Sequence, residues 1–347
     1  MLPRFFYLRR WKKGHDIVNI KIIKWQDANI DKLRELYIRF PYPPYFGSPI
    51  VNEKLQEYRF RCVQQDAEAS PETFFVAVNK ENILCAAQLQ RSAHLSDNFG
   101  IEVASIGNEA FECNHTVENT RVFLALLKNM VESAIKKKVA FLMASEASNC
   151  HQWIRALEDT GFRYADGFIH AVEDMKEDYN HLLLSKMIVR DPIKADFEEI
   201  LFSFQNVPFP SYLFHEQEFE RGKISRLYAK RYREVYENKV GRVFIGEIDG
   251  RFMGALNGII EPRILTETGM VVNHLSQGII LHPRAIGKGV ALGLIAFRHN
   301  WYREKGMPYC YQGSNINNIP MIRGFQKMKL KHAGIEIKMA MRLKDRL

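Results

Sequence analysis

The sequence predicts an α/β (α+β) protein built as two copies of one unit. Three observations predict it. The order strand, helix, hairpin, strand, helix, strand, helix, strand occurs twice along the 347 residues. The copies end alike: Thr160-Gly161-Phe162 closes the first and Lys329-Leu330 the second, an offset of 330 − 162 = 168 residues. In the second copy alone, an apolar strand runs through a glycine-bearing loop into a helix, Leu281 to Ala291.

The elements follow in order. Lys21-Ile22-Ile23-Lys24 opens a strand, and Asp31 to Tyr37 has helical spacing. Lys186 to Val189 and Asp196 to Leu201 repeat that pair. Both helices lead into turns rich in proline and aromatics, Phe40 to Tyr45 and Val207 to Tyr212. Hairpins follow. Phe74–Val78 pairs with Ile83–Ala87, and Arg242–Gly246 with Phe252–Leu256. Asp249-Gly250 is a strong two-residue turn, and Asn79 to Asn82 a looser one. Helix Val122–Ile135, strand Val139–Met143 and helix Cys150–Asp159 correspond to Ala291–Arg303, Pro308–Tyr311 and Asn318–Met328. The charged run Glu173 to Asn180 reads as the linker. The domains are then a basic extension over 1–18, a first unit over 19–175 and a second over 176–347.

Composition narrows the function. Hydrophobic residues make up 46% and charged ones 26%, as in a soluble globular protein. No apolar run approaches the roughly 20 residues that span a bilayer, so no membrane span is expected. Met1 to Lys13 is basic and aromatic and reads as a loosely docking tail, too charged for a signal peptide. Five cysteines without a CxxC argue for a reducing, cytoplasmic setting. Cys113-Asn114-His115 and Cys150-His151 match no zinc spacing, so no metal is expected. The net charge of +9 is spread out, bunched only at Lys136-Lys137-Lys138 and at Lys327, Lys329 and Lys331. No nucleic-acid partner is expected; an acidic small ligand is enough to favour a positive cleft.

The stretch Leu281-His282-Pro283-Arg284-Ala285-Ile286-Gly287-Lys288-Gly289-Val290-Ala291 carries the chemistry. Glycines let a backbone approach a ligand closely, and unpaired N–H groups at a helix start attract anions. There is no GxxxxGK[ST] and no GxGxxG here, so triphosphates and dinucleotides are poor candidates.

This stretch resembles the acetyl-CoA pyrophosphate loop of the GNAT acyltransferase superfamily, V-x-P-x-x-[QR]-G-x-G-x-[GA]. Leu281, Pro283, Gly287, Gly289 and Ala291 fall on the pattern, and Ile286 stands where Gln or Arg is usual. Arg284 or Lys288 would supply the missing positive charge. Downstream, Asn318, Met321, Lys327 and Leu330 fall on the family's closing pattern N-x-x-A-x-x-x-Y-x-K-x-G-F, with Phe325 where Tyr is common and Lys329 where Gly is common. The resemblance implies two tandem GNAT-like domains, each a mixed, mostly antiparallel twisted sheet flanked by helices. It implies acetyl-CoA, or another acyl-CoA, as co-substrate. The groups it would place on the carrier are Ile279, Ile280, Leu281, Arg284, Ile286, Gly287, Lys288, Gly289, Val290, Ala291, Asn318 and Phe325.

The first copy lacks this loop. Ile106 to His115 has no glycine pair and carries Glu109 and Glu112, which would repel a pyrophosphate. The first unit is therefore expected to have kept the fold and lost the cofactor, and to complete the acceptor cleft.

The resemblance implies N-acyl transfer to a small-molecule amine by direct attack, in the second unit. A backbone N–H between Gln277 and Leu281 would stabilise the oxyanion. His274 has a suitable pKa for the base, and Glu267 is a weaker candidate. Tyr311 and Tyr309 are the candidate acids, while His282 reads as a turn residue. Tyr42, Tyr45, Phe46, Phe209, Tyr212 and Phe214 would line the acceptor's entrance. Two other readings stay open. One is a catalytically decayed acyl-CoA-binding or interaction protein, favoured by Phe325 and Ile286. The other is an aminoacyl-tRNA-dependent transferase, which the basic charge fits and the phosphate loop argues against.

Overall fold

A computed structural model describes residues 20–40, 53–111, 117–260, 271–272 and 278–343. The first half runs β1 (Ile20–Lys24), α1 (Ile30–Arg39), α2 (Glu53–Ala69), β2 (Phe74–Asn79), β3 (Asn82–Arg91), α3 (Ala93–Phe99), β4 (Val103–Phe111), α4 (Val117–Lys136), β5 (Phe141–Ala147), α5 (His151–Thr160) and β6 (Arg163–Asp174). The second runs β7 (Ile188–Arg190), α6 (Asp196–Asn206), α7 (Arg221–Glu237), β8 (Gly241–Ile248), β9 (Arg251–Ile259), β10 (Val271–Val272), β11 (Ile279–Leu281), α8 (Val290–Glu304), β12 (Tyr309–Asn315), α9 (Ile319–Lys327) and β13 (Lys331–Arg342). The order repeats as expected, with a second helix, α2 or α7, before each hairpin. The β8–β9 turn has Asp249 and Gly250 both at positive φ (51° and 70°), the geometry that the Asp-Gly pair selects.

The sheets show what the repeat does not. One sheet has the order β1-β2-β3-β4-β5-β13-β6-β12-β10, and a smaller one β11-β9-β8-β7. The halves exchange their last strands. β13, from the second half, lies between β5 and β6 of the first, and β6 lies between β13 and β12. All three central pairings are antiparallel. Phe168 and Glu336, related by 336 − 168 = 168 residues, are also cross-strand partners, so the two-fold relation between the halves passes between them.

Burial sets the register. Met339 and Met341 of β13 enter the first half's core beside Leu126, Met130 and Trp153, while Ala340 enters the core that holds Ile224 and Tyr228 of α7. A slip of one residue would reverse both faces. The second core also takes Leu95 and Phe99 of α3 and Phe141 of β5, so the halves share apolar interior as well as a sheet. Glu173 and Asp174, read as linker, are the end of β6; the connection begins at Met175 and is held down by Tyr179, whose hydroxyl donates to Met328 O at 2.9 Å.

Polar contacts follow the exchanged strands. Glu336 of β13 contacts His170 Nε2 of β6 at 3.1 Å and accepts from Lys338 Nζ at 3.3 Å. Burial raises the Glu336 pKa, but Lys338, His170 and Ser145 outweigh that and hold it down at about 2. An unfolded glutamate titrates near 4.3. The folded value is the lower one, so this carboxylate's contribution to stability is full above the unfolded value and is lost as pH falls towards about 2. The gap in unfolding free energy between wild type and Glu336→Gln should be widest above about pH 5 and close as pH falls to about 2. Denaturant titrations across that range test this, and a gap independent of pH contradicts it.

Candidate active site

β10 and β11 belong to one passage of chain with two different neighbours. Val271-Val272 pairs in parallel with Cys310-Tyr311 of β12, whereas Ile279–Leu281 pairs antiparallel with Leu256–Gly254 of β9. β11 is not paired with β12, and a wedge opens between β11 and Gln312–Asn315. Asn257 N–H donates to Gly278 O and His282 N–H to Met253 O, each at about 2.8–2.9 Å. That alternation leaves the N–H groups of Ile279 and Leu281 pointing away from β9, into the wedge. A cavity of about 250 Å³ fills it. Ile295 of α8 and Met321 and Phe325 of α9 line one side; Phe209, Tyr212 and Tyr228 line the other.

At the end of β11 the chain turns sharply. His282 caps a short 3-10 turn, Pro283–Ala285, with Nδ1 accepting the Arg284 N–H at 3.1 Å. The Arg284 Nε also donates to that nitrogen at 2.9 Å, so this guanidinium is turned back onto the ring. Gly287 and Gly289 both take the left-handed conformation, φ 79° and 77°, which side chains with a Cβ rarely adopt. Space above them is open: a Cβ at Gly287 would meet nothing within 4 Å, and one at Gly289 only Leu184. Lys288 stands exposed between them, and Ile286 is 54% exposed beside them. Gly289 is the N-cap of α8, and the first helical bond there is Gly293 N–H to Gly289 O at 3.1 Å. The N–H groups of Val290, Ala291 and Leu292 therefore have no acceptor within the helix. A strand end, two left-handed glycines and a helix N-terminus make a cradle for an anion the size of a pyrophosphate.

The predicted carrier residues divide by position. Ile279 lines the cavity, with Asn318 and Phe325 opposite. Asn318 caps α9, accepting the Met321 N–H. Ile280 turns instead into the core shared with α6 and α7, and Leu281 packs on the α8 side. Phe325 is buried between α8 and α9 and brings no hydroxyl to the site.

Tyr311 and Tyr309 do not reach the cavity, whose β12 lining begins at Gln312. Strand exchange places β6 beside them and α2 over them: Tyr311 packs with Leu55, Val172 and Ala333 and stacks on His170 at 5.2 Å. Burial pushes its hydroxyl pKa up, away from acid chemistry near neutrality. His274, Glu267, Gln277, Tyr42, Tyr45, Phe46, Cys113, His115 and the 1–18 extension lie outside the described residues.

Several wall residues have no motif in the sequence. Asp166 and Phe168 reach the cavity from β6, Met143 from β5 and His94 from α3, all in the first half. Phe168 lies across Gly313 of β12, where an added Cβ would come within 2.3 Å of its ring. Beneath the cavity lies a buried polar cluster. Arg298 Nη2 donates to Gln312 Oε1 at 2.7 Å and to Glu173 Oε2 at 3.2 Å; Glu173 also contacts His299 Nδ1 at 2.7 Å and accepts from Gln312 Nε2 at 2.9 Å. Glu173 comes from the exchanged strand, so the cluster ties β6 to α8 and β12. Alternating apolar sequence signals none of these groups. Their one legible trace is charge inside runs that otherwise read as core.

The matching wedge of the first half is filled. Trp153 stands where Met321 does (321 − 153 = 168) and stacks on Phe111 at 5.4 Å, with Phe123 edge-on at 5.3 Å. Glu146 and Arg59 are buried beside it, and Arg59 Nη2 donates to Glu109 O at 2.7 Å. Burial pushes the Glu146 pKa well up.

No family model matches the sequence, and neither does any curated protein. Solved structures do. A GCN5-related N-acetyltransferase from Sphaerobacter thermophilus aligns over 93% of this chain and 96% of its own, with TM-score 0.59 and 10% identity. A tandem GNAT protein from the clavulanic acid biosynthesis pathway aligns over 93% and 98%, with TM-score 0.51 and 11% identity. A GCN5-related glucosamine N-acetyltransferase region of a fungal multi-domain enzyme aligns over 94% of this chain and 38% of that one, with TM-score 0.54 and 10% identity. The fold is the GNAT acetyltransferase fold. It is the tandem form, two copies in one chain. Among the described residues no helix is long and apolar enough to cross a membrane, and no cluster of His, Cys, Asp or Glu could hold a metal.

Glu173→Ala would leave Arg298 and His299 buried without their carboxylate, at a cost of about 3–5 kcal/mol. Denaturant unfolding measures it, and a loss under about 1 kcal/mol would show that the cluster does not hold the wedge together.

Proposed function

We propose that the protein is an acyl-CoA-dependent N-acyltransferase that acetylates, or acylates with another short chain, an amine of a small molecule. The donor binds in the second half, residues 176–347, and the first half, residues 19–175, completes the acceptor end of the cavity. The observation that carries this reading is the pair of left-handed glycines, Gly287 and Gly289, at the N-terminus of α8 and the mouth of the wedge.

The chemistry follows from position. The pyrophosphate of the carrier lies on the N–H groups from Gly287 to Leu292, far from the reacting carbon. Its binding energy is spent on holding the thioester still. The pantetheine arm enters the wedge between β11 and β12, with Asn318 and Phe325 along its course. There the inward N–H groups of Ile279 and Leu281 face the thioester carbonyl and stabilise the charge that develops on its oxygen during attack. The amine approaches from the face formed by Phe209, Tyr212 and Phe168. Phe325 gives the leaving thiolate no proton, so that proton comes from elsewhere in the site or from water.

Isothermal calorimetry with acetyl-CoA should show binding by wild type and none by a folded Gly287→Glu, Gly289→Glu variant, in which two carboxylates occupy the cradle. Binding that survives the double substitution would contradict the placement. With an amine acceptor present, free thiol should accumulate. Binding without thiol release from any amine would make the site an acyl-CoA-binding one and overturn the transferase reading.

A further inference from the structure

Among the described residues, Asp166 is the one carboxylate that lines the cavity. It reaches the acceptor end from β6 and is 7% exposed. Its Oδ1 accepts the Gly167 N–H at 2.8 Å, and its Oδ2 accepts from Asn315 Nδ2. Both donors are neutral, so they orient the carboxylate without cancelling its charge. A carboxylate has about four acceptor positions, so these bonds leave capacity for a ligand's ammonium. The cations that line the same cavity are committed elsewhere. Lys338, the cross-strand partner of Asp166, donates to Glu336 at 3.3 Å, and Arg298 is held by Glu173 and Gln312. Arg231 lies over the Tyr228 ring at 5.8 Å and is not free. Phe168, Phe209, Leu213 and Leu227 give the rest of this end an apolar wall. Its two tyrosines spend their hydroxyls on other partners, Tyr212 on Met143 Sδ at 2.9 Å and Tyr228 on Ser211 Oγ at 2.8 Å.

A buried carboxylate bonded by neutral groups calls for a cation on the ligand. A polyhydroxylated amine would lay its hydroxyls on phenylalanine and leucine side chains and leave them without partners. An α-amino acid would bring a second carboxylate beside Asp166, where like charges repel. We propose that the acceptor is a cationic amine with an apolar, ring-sized body, its ammonium held at Asp166 and its body against Phe168 and Phe209. This rests on the transferase reading above. In the reaction the ammonium gives up two protons, the C–N bond forms as the thioester C–S bond breaks, one proton goes to the departing thiolate and the other to solvent. The products are an uncharged N-acyl amine and free coenzyme A. Acylation removes the positive charge, so the product loses its hold on Asp166.

The test uses the full chain and acetyl-CoA, with thiol release followed against 2-phenylethylamine, isopentylamine, glucosamine and L-phenylalanine. At least one of the two apolar amines should exceed both of the others by about tenfold or more in kcat/KM, the worth of one charge-assisted contact. The alcohol with that amine's body, which lacks the charge, should inhibit with a constant about tenfold or more above the amine's KM, a comparison that needs no variant. Asp166→Asn, which keeps the size and loses the charge, should raise the amine's KM by about tenfold or more. Unchanged acetyl-CoA binding by calorimetry shows that this variant is folded and its donor site intact. A preference for glucosamine or phenylalanine would overturn the proposal, as would an alcohol that competes as well as the amine binds, or a folded Asp166→Asn with an unchanged KM. Acetyl-CoA binding with neither apolar amine turned over would overturn it too and leave the donor site standing. Absence of acetyl-CoA binding by wild type would instead bring down the transferase reading on which it rests.

Discussion

The exchange of β6 and β13 is the constraint on which the rest of this molecule depends. Each half ends in a strand whose neighbours are supplied by the other half. Neither β5 nor β12 keeps its inner edge partner unless both halves are present, and an unpaired strand edge inside an apolar core is costly. The exchange also fuses the interiors. Ala340 and Phe141 sit in one core with the aromatics of α6 and α7, and Met339 and Met341 in another with α4 and α5. It explains why Glu173, at the end of the first half's last strand, is buried under α8 of the second.

The same geometry makes the cavity composite. The second half supplies the wedge, the glycine loop and two helices, while the first half supplies Asp166, Phe168, Met143 and His94. The two wedges differ in side-chain volume and charge. Trp153, Phe111 and Phe123 occupy the first, where the second has Met321 and open space. Buried Arg59 and Glu146 add a polar plug that would have to be displaced by any ligand entering there. One copy thus remains as a wall for the other.

Much of this was legible in the chain, for particular reasons. Hairpins announce themselves because Asp249-Gly250 must take positive φ, and the loop because Gly287 and Gly289 must. The repeat was legible from element order, and the filled first wedge partly so, from Glu109 and the missing glycines. The exchange was not, because alternation says which face a strand buries and not which strand lies beside it. α7 carries a helical signal of its own among its charges: Ile224, Leu227, Tyr228, Tyr232 and Val235 fall on one face. Tyr311 reads as a candidate acid from its place on the strand after the loop helix, yet the first half's α2 covers it. Asp166 carries no motif, since its place in the cavity wall comes from the neighbour that exchange gives it.

The most direct measurement is to express residues 1–175 and 176–347 as two separate chains, singly and together. Strand exchange predicts that neither chain alone gives a cooperative unfolding transition, and that co-expression yields a one-to-one complex that co-purifies and unfolds as a unit. A second half that folds alone as a monomer, with a sharp transition and the stability it has in the complex, would contradict the account.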